Sequence, residues 1–205
     1  MRYGNTLKII AVVHGKSEYQ ICSFIKNELR LGALKILADK KGQKSIQITS
    51  LRKFFDHNIH LRSEEDFKRE FNNCLELDEE GKPLIPEDLK IYTIMDTDDC
   101  SPKQKAEYKN KKMFEGHWAY EYIEPIFNDD NLEQVLLKAD IKIKSKKKDY
   151  VEIFPTTAKH RQNGAIELKD FKNKLSKISD TNMNEFVVCC LDEAEKNKFN
   201  NQRNL

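Results

Sequence analysis

The stretch "IIAVVHGKSEYQI", residues 9–21, decides how the rest of the chain is read. Leu7 to Val13 is continuous, apolar and partly β-branched, the pattern of a strand buried on both faces. Ser17 then offers a cap, Gln20 completes a capping box with it, and Ile21, Phe24, Ile25 and Leu29 recur at helical spacing. The expectation is a strand, a glycine turn and a helix over about residues 18–30. Such a turn is either a phosphate loop or the carrier of other chemistry. A phosphate loop needs G-x-x-x-x-G-K-[ST]. Gly15, Lys16 and Ser17 match its end, but its first glycine would fall on Ile10, which cannot wrap a phosphate. The turn carries something else.

Working outward, "SIQITSL" (45–51) alternates like a strand, and "SEEDFKREFNNCLEL" (63–77) reads as a helix. Ser63 caps it, acids fill its first turn, and Phe67, Phe71, Cys74 and Leu75 share one face. "GKPLIPEDLK" (81–90) is a turn-rich connector. "IYTIMDTDD" (91–99) is a second buried strand, Ile91 to Met95, that runs into a carboxylate cluster. Ser101 and Pro102 open another helix, serine at the cap and proline in the first turn. In the second half "YEYIEPIFN" (120–128) reads as a strand and "NLEQVLLKAD" (131–140) as a short helix. A lysine-rich loop follows, then "YVEIFP" (150–155), a helix over "AIELKDFKNKLSKI" (165–178), and a last helix from about Asn184 to Lys196.

Strands alternating with helices predict one α/β domain over residues 1–195, built on a mostly parallel, Rossmann-like sheet flanked by helices. Its core spans about 7–130, a helical C-terminal part covers 131–195, and 196–205 reads as a frayed tail. Right-handed crossovers put the carboxyl ends of the strands on one edge, where α/β proteins place their sites. "HGKSE" and "DTDD" both follow buried strands, so both are expected on that edge.

Composition narrows the class. Charged residues reach 34% against a typical ~25%, and no apolar run approaches the ~18 residues of a membrane span. Ile9–Val13 is too short for a signal-peptide core, so a cytoplasmic protein is expected. Five cysteines with no C-x-x-C pair read as reduced core thiols rather than a zinc site or disulfide framework. Net charge is only +2, but its distribution is uneven. Residues 101–112 carry five lysines against Glu107, and residues 138–161 carry seven lysines and Arg161 against three acids. These segments read either as a face turned toward a polyanion or as a solvated surface.

The carboxylates carry the chemistry. Asp96 and Asp98 are two apart at the end of a buried strand and would face the same way in extended chain, with Asp99 next to them. Acids so close repel, and a bound cation resolves the repulsion; Mg²⁺ takes one or two carboxylates plus water and substrate phosphate. The bland reading is a capped turn that starts a helix.

"AVVHGKSEYQ" followed by "IYTIMDTDDC" resembles the TOPRIM domain, whose first motif is a strand, a Glu-Gly pair and a helix, and whose second is a strand ending in Asp-x-Asp. "PIFNDDNLEQVL" and the lysine-rich stretch leading to "DYVEIFP" resemble the small stand-alone RloB-type TOPRIM proteins, akin to the OLD-like ones, found beside bacterial restriction and phage-defence genes. The resemblance implies a divalent-metal-dependent nucleic-acid-processing protein, a phosphodiester nuclease, with Mg²⁺ or Mn²⁺ as cofactor. It implies Asp96 and Asp98 as metal ligands, Gly15 at the turn and Glu18 as the second acid of the nuclease branches, with Asp99 beside them. The family's glutamate aligns with His14. Histidine there would preserve acid/base work, shift the preference toward softer ions such as Mn²⁺, or mark a site without catalysis. The candidate catalytic set is therefore His14, Glu18, Asp96 and Asp98, and the candidate metal ligands are Glu18, Asp96, Asp98 and Asp99. Glu124 and Glu133 are possible further acids that nothing in the sequence places.

Lys16, Lys103, Lys105, Lys109 and the 142–148 loop with Lys146, Lys147 and Lys148 are the candidate contacts to a DNA or RNA backbone. Tyr108, Phe114, Trp118, Tyr150 and Phe154 read as core or as base-stacking residues. Two alternatives stand beside the nuclease: the same fold with an impaired site that only binds nucleic acid, and an accessory subunit of a larger ATPase-containing complex.

Overall fold

A computed structural model describes residues 6–141 and 164–203, with side chains to Asn197. "YVEIFP", Tyr150, Phe154 and the lysines of 142–148 lie outside the described residues.

The order is β1 (Ile9–Val13), α1 (Lys16–Glu28), β2 (Leu34–Leu37), α2 (Ile48–His57), α3 (Glu64–Glu70), β3 (Glu76–Leu77) and β4 (Pro83–Leu84). It continues with β5 (Lys90–Asp96), α4 (Pro102–Lys109), β6 (Ile123–Asn128), α5 (Leu132–Lys138), α6 (Gly164–Leu175) and α7 (Met183–Arg203). β2, β1, β5 and β6 form a four-stranded sheet in that order, every pairing parallel; β3 and β4 make a small antiparallel hairpin. The chain is an α/β protein with a parallel sheet flanked by helices and a helical C-terminal region, as the alternation predicts. No helix among the described residues is long and apolar enough to cross a membrane.

Helices cover both sheet faces, so the strands need apolar residues on both sides, which is why they read as continuous runs. Ile9, Ala11 and Val13 of β1, with Tyr92 and Ile94 of β5, pack under α1, α5, α6 and α7. Ile10, Val12, Ile91 and Met95 face the other way, into α2, α3, α4 and Phe114. All five cysteines are free thiols, and Tyr108 and Phe114 are core rather than stacking platforms. Trp118 packs against the same core and its indole N–H donates to the Leu61 carbonyl.

Five local expectations are corrected. The helix read over 63–77 ends at Glu70, and a 3₁₀ turn, Asn72–Cys74, leads from it into β3. Ser45–Leu51 is not a strand: Ile48, Leu51 and Phe55 are the buried face of α2, a spacing of three and four that a seven-residue window of alternation hides. The second strand is Leu34–Leu37, an edge strand and only half buried, so its pattern is weak. α1 starts two residues earlier than expected, because its cap is Gly15, whose N–H donates to the Glu18 carboxylate; Ser17 lies within the helix. α7 continues to Arg203, past the expected end near Lys196. Elsewhere, Ser63 and Ser101 cap α3 and α4 as read, accepting from Asp66 and Gln104 backbone N–H groups.

The free edge of β6 is covered by a side chain. Asn182 donates from Nδ2 to the Pro125 carbonyl at 2.9 Å, and its Oδ1 accepts from the Phe127 N–H at 3.0 Å. With Pro125 already lacking an N–H, that edge offers little for another strand to pair with.

Candidate functional site

The parallel register brings the two distant turns together. β1 and β5 are neighbours with Val13 opposite Ile94, and the His14 N–H extends the ladder to the Ile94 carbonyl at 2.9 Å. β5 runs two residues further, to Asp96, which pairs with Asn128 of β6. His14, Gly15, Asp96 and Asn128 therefore share the carboxyl edge of the sheet.

On this edge Glu18, three residues after the Gly15 cap, folds back so that its Oε2 accepts the Gly15 N–H at 2.9 Å. That bond pulls the carboxylate under the turn, where Glu18 is only 2% exposed. Burial, then the Asp96 charge, then to a lesser extent Glu133, push its pKa up to about 8 against the Gly15 hydrogen bond. Asp96 is likewise buried, and burial raises it to about 6; the Asn128 amide and the His14 ring oppose the rise, while Glu133 and Asp98 add to it. Two buried carboxyl groups from distant turns thus lie within range of each other's charge.

Asp96 is held rigidly. Its Oδ1 accepts from Asn128 Nδ2 and from the Leu132 N–H at the start of α5, both at 3.0 Å. Thr181 Oγ1 donates to Asn128 Oδ1 at 3.0 Å, and the Met183 N–H donates to Thr181 Oγ1 at the same distance. The sheet, α5 and the start of α7 all fix the position of one carboxylate.

The two remaining acids divide differently from the i, i+2 expectation. The strand ends at Asp96 and the chain bends, with Thr97 and Asp98 N–H groups donating to the Asp130 carbonyl at 3.0 Å. Asp98 is exposed in consequence. Asp99 turns back: both its carboxylate oxygens are shielded and lack a hydrogen-bond partner among the described residues, as does His14 Nδ1. Burial raises the Asp99 pKa and the neighbouring His14 lowers it. His14 thus lies within range of the Asp96 and Asp99 charges, without a hydrogen bond to Asp99. Among the described residues no three His, Cys, Asp or Glu side chains close on one point as a ready-made metal cage.

Of the acids that sequence could not place, Glu133 lies near enough to act on both Glu18 and Asp96, whereas Glu124 does not. Glu124 pairs with Lys90 at 3.2 Å and Lys111 at 3.6 Å, toward the amino end of β6. Asn128 and Gly42 were missed. Asn128 is legible only once β6 is paired with β5. Gly42 ends the 3₁₀ turn Asp39–Gly42, at φ +80°, and a Cβ there would stand 2.7 Å from the Gly15 carbonyl oxygen.

The candidate backbone-contacting lysines also separate. Lys105 and Lys109 both pair with Asp129, at 3.0 and 3.1 Å, and Lys109 lies over the Phe127 ring. Lys103 is within 3.9 Å of Glu107. Lys16 is exposed at the first position of α1, and among the described residues no ion pair engages it.

Fold and site together define a class: a parallel α/β domain with a buried carboxyl pair at the carboxyl edge of its two central strands. No protein-family model, curated protein or solved structure matches the chain.

Proposed function

We propose that this chain is a divalent-metal-dependent, TOPRIM-type nucleic-acid-processing protein, a phosphodiester nuclease of a bacterial defence system. The reading is carried by one observation: Glu18, in the first turn of α1, and Asp96, the last residue of β5, are buried within reach of each other's charge. A divalent cation would relieve both the burial and the repulsion. The donors are hard oxygens, which fits Mg²⁺ or Mn²⁺ with water and substrate phosphate completing the shell. Glu18 and Asp96 would hold the ion, with Asp99, shielded and without a hydrogen-bond partner among the described residues, as the next carboxylate. Bound there, the ion would polarise a phosphoryl oxygen of the substrate. The protein's own groups do the rest. Gly15 N–H orients Glu18, Asn128 and Leu132 N–H orient Asp96, and His14 lies within range of the Asp96 and Asp99 charges, where it would serve as the proton-transfer group.

A second reading has its own support. His14 stands where the family carries glutamate, and no three-ligand cage exists among the described residues. Both favour an impaired site that binds nucleic acid without cutting it, or an accessory subunit of an ATPase-containing complex. Plasmid DNA and RNA incubated with Mg²⁺ or Mn²⁺ separate the readings. Cleavage that disappears in Asp96→Ala supports the nuclease. Binding without cleavage under either ion moves the conclusion to the binding module, and neither binding nor cleavage leaves the accessory subunit. A melting-temperature rise on adding Mn²⁺, lost in Asp96→Ala, reads the ion site without any substrate.

A further inference from the structure

Between β2 and α2 the chain makes a turn with three consecutive left-handed residues: Lys40 at φ 46°, Lys41 at φ 56° and Gly42 at φ 80°. Glycine adopts this region freely, but two successive lysines in it are uncommon, and such backbone persists only where the surroundings hold it. Here they do. Gly42 lies so close to the Gly15–Lys16 backbone that a Cβ would fall 2.7 Å from the Gly15 carbonyl oxygen and 2.9 Å from the Lys16 Cα. Four residues on, the Ile46 N–H donates to the His14 carbonyl at 2.7 Å. The turn is thereby fastened, backbone to backbone, onto the residues that carry the buried carboxyl pair: Gly15 binds Glu18, and His14 lies within range of the Asp96 charge.

Lys40 and Lys41 are both exposed. Among the described residues neither joins an ion pair, in contrast to Lys105 and Lys109, which share Asp129, and to Lys44, which pairs with Asp39 of the same turn at 3.4 Å. Lys16, also exposed, stands on the adjoining turn. Lys16, Lys40 and Lys41, in no ion pair among the described residues, thus stand on the two turns next to a site whose own side chains are acidic. A phosphodiester brought to Glu18 and Asp96 meets negative charge, and cations at the rim are what would draw it in.

We infer that the left-handed Lys40–Lys41–Gly42 turn, seated on the His14–Lys16 turn, is the docking surface for the phosphate backbone of a nucleic acid. The inference rests on the nucleic-acid reading above and adds the surface that serves it. The lysines of α4, which the sequence nominates, are tied to carboxylates and contribute less.

The test measures binding of a short fluorescent DNA duplex, and of its single strand as DNA and as RNA, across a salt series in EDTA so that nothing is cut. The variant is Lys40→Asn/Lys41→Asn, since asparagine tolerates the left-handed region while removing the charge. Lys40→Arg/Lys41→Arg keeps the charge, and Lys82→Asn/Lys112→Asn removes the same charge elsewhere. On the duplex, the slope of log affinity against log salt should become shallower by about 0.9 for each lost contact, and on the single strand by about 0.7. The arginine and remote variants should keep the wild-type slope. Should the double asparagine variant melt early, the single variants read one step each. A wild-type protein that binds, with an unchanged slope in the asparagine variant, overturns this inference and leaves the proposed function standing. A wild-type protein that binds none of the probes overturns both.

Discussion

Gly42 packs against Gly15 with no room for a side chain between them: a Cβ on Gly42 would lie 2.7 Å from the Gly15 carbonyl oxygen and 2.9 Å from its carbonyl carbon. The contact is one-sided. Gly15 itself is extended, at φ −152°, a conformation open to any residue, and a Cβ on it would meet Glu18 Oε2 at 3.4 Å and Ser45 Oγ at 3.6 Å, ordinary contact distances. Gly15→Ala should therefore fold and keep its α1 cap, whereas Gly42→Ala combines positive φ with a backbone clash. The expected loss for Gly42→Ala is about 2 kcal/mol or more, against less than about 1 for Gly15→Ala. Urea denaturation of the two variants checks this, and equal losses would show that the close approach is not what holds the turn.

Glu18 gives the stability of the protein a pH dependence of unusual sign. Below the ordinary glutamate value of 4.5 folded and unfolded chains both carry the proton, and the group is neutral in its effect. Between 4.5 and about 8 the folded state retains a proton that the unfolded chain has released, so stability falls as pH rises. Asp96 adds to the fall in the same direction, between 3.8 and about 6. Without divalent ions the loss from pH 5 to 8 should be on the order of a few kcal/mol. Glu18→Gln should flatten the profile, and Mn²⁺ should restore stability at the alkaline end in the wild type alone. Parallel profiles for wild type and Glu18→Gln would remove the buried-carboxylate account.

Asp98 and Asp99 differ in exposure, and that difference predicts which of them matters more to a bound ion. Asp98 is exposed on the bend, while both Asp99 oxygens are shielded beside His14 without a hydrogen-bond partner among the described residues. Asp99→Asn should weaken Mn²⁺ binding by about tenfold or more, the loss that follows from removing an interaction worth about 1.4 kcal/mol, while Asp98→Asn should change it little. Titration calorimetry reads both; a larger effect from Asp98 would restore the simple i, i+2 picture.

Tyr108 ties α4 to two strands. Its hydroxyl lies 2.6 Å from the Thr93 carbonyl, 2.8 Å from the Ile126 carbonyl and 3.0 Å from Thr93 Oγ1, fully buried. Removing the hydroxyl leaves the Thr93 side chain and a carbonyl unpaired in the core, so Tyr108→Phe should destabilise by about 1–3 kcal/mol. Thr93→Val in the same background should recover part of that, because it removes the stranded partner; an additive double variant would deny the coupling.

Local chemistry was legible wherever it is written in neighbouring residues. The runs Ile9–Val13 and Ile91–Met95 are strands because an all-apolar, partly β-branched segment is what a sheet covered on both faces demands, and Ser63 and Ser101 cap helices because their hydroxyls satisfy N–H groups three residues on. The alternation of elements carried the parallel α/β class and placed His14, Glu18 and Asp96 on one edge. Leu34–Leu37 escaped because an edge strand is half exposed and its pattern diluted; Ser45–Leu51 misled because Ile46 and Ile48 alternate with polar residues, while the helical spacing of Ile48, Leu51 and Phe55 shows only in a longer window.

What remained for the tertiary structure was everything that depends on register and on where a chain turns. Only the pairing of Val13 with Ile94 and of Asp96 with Asn128 sets the two carboxyl groups against each other and gives Asp96 its amide donor. Only the bend after Asp96 sends Asp98 outward and Asp99 in, and only the left-handed turn at Gly42 brings Lys40 and Lys41, which join no ion pair among the described residues, next to the Gly15 turn. The physical reason is range: propensity, capping and hydrophobic period act within a few residues, while charge, burial and steric exclusion act between whatever residues the fold makes neighbours.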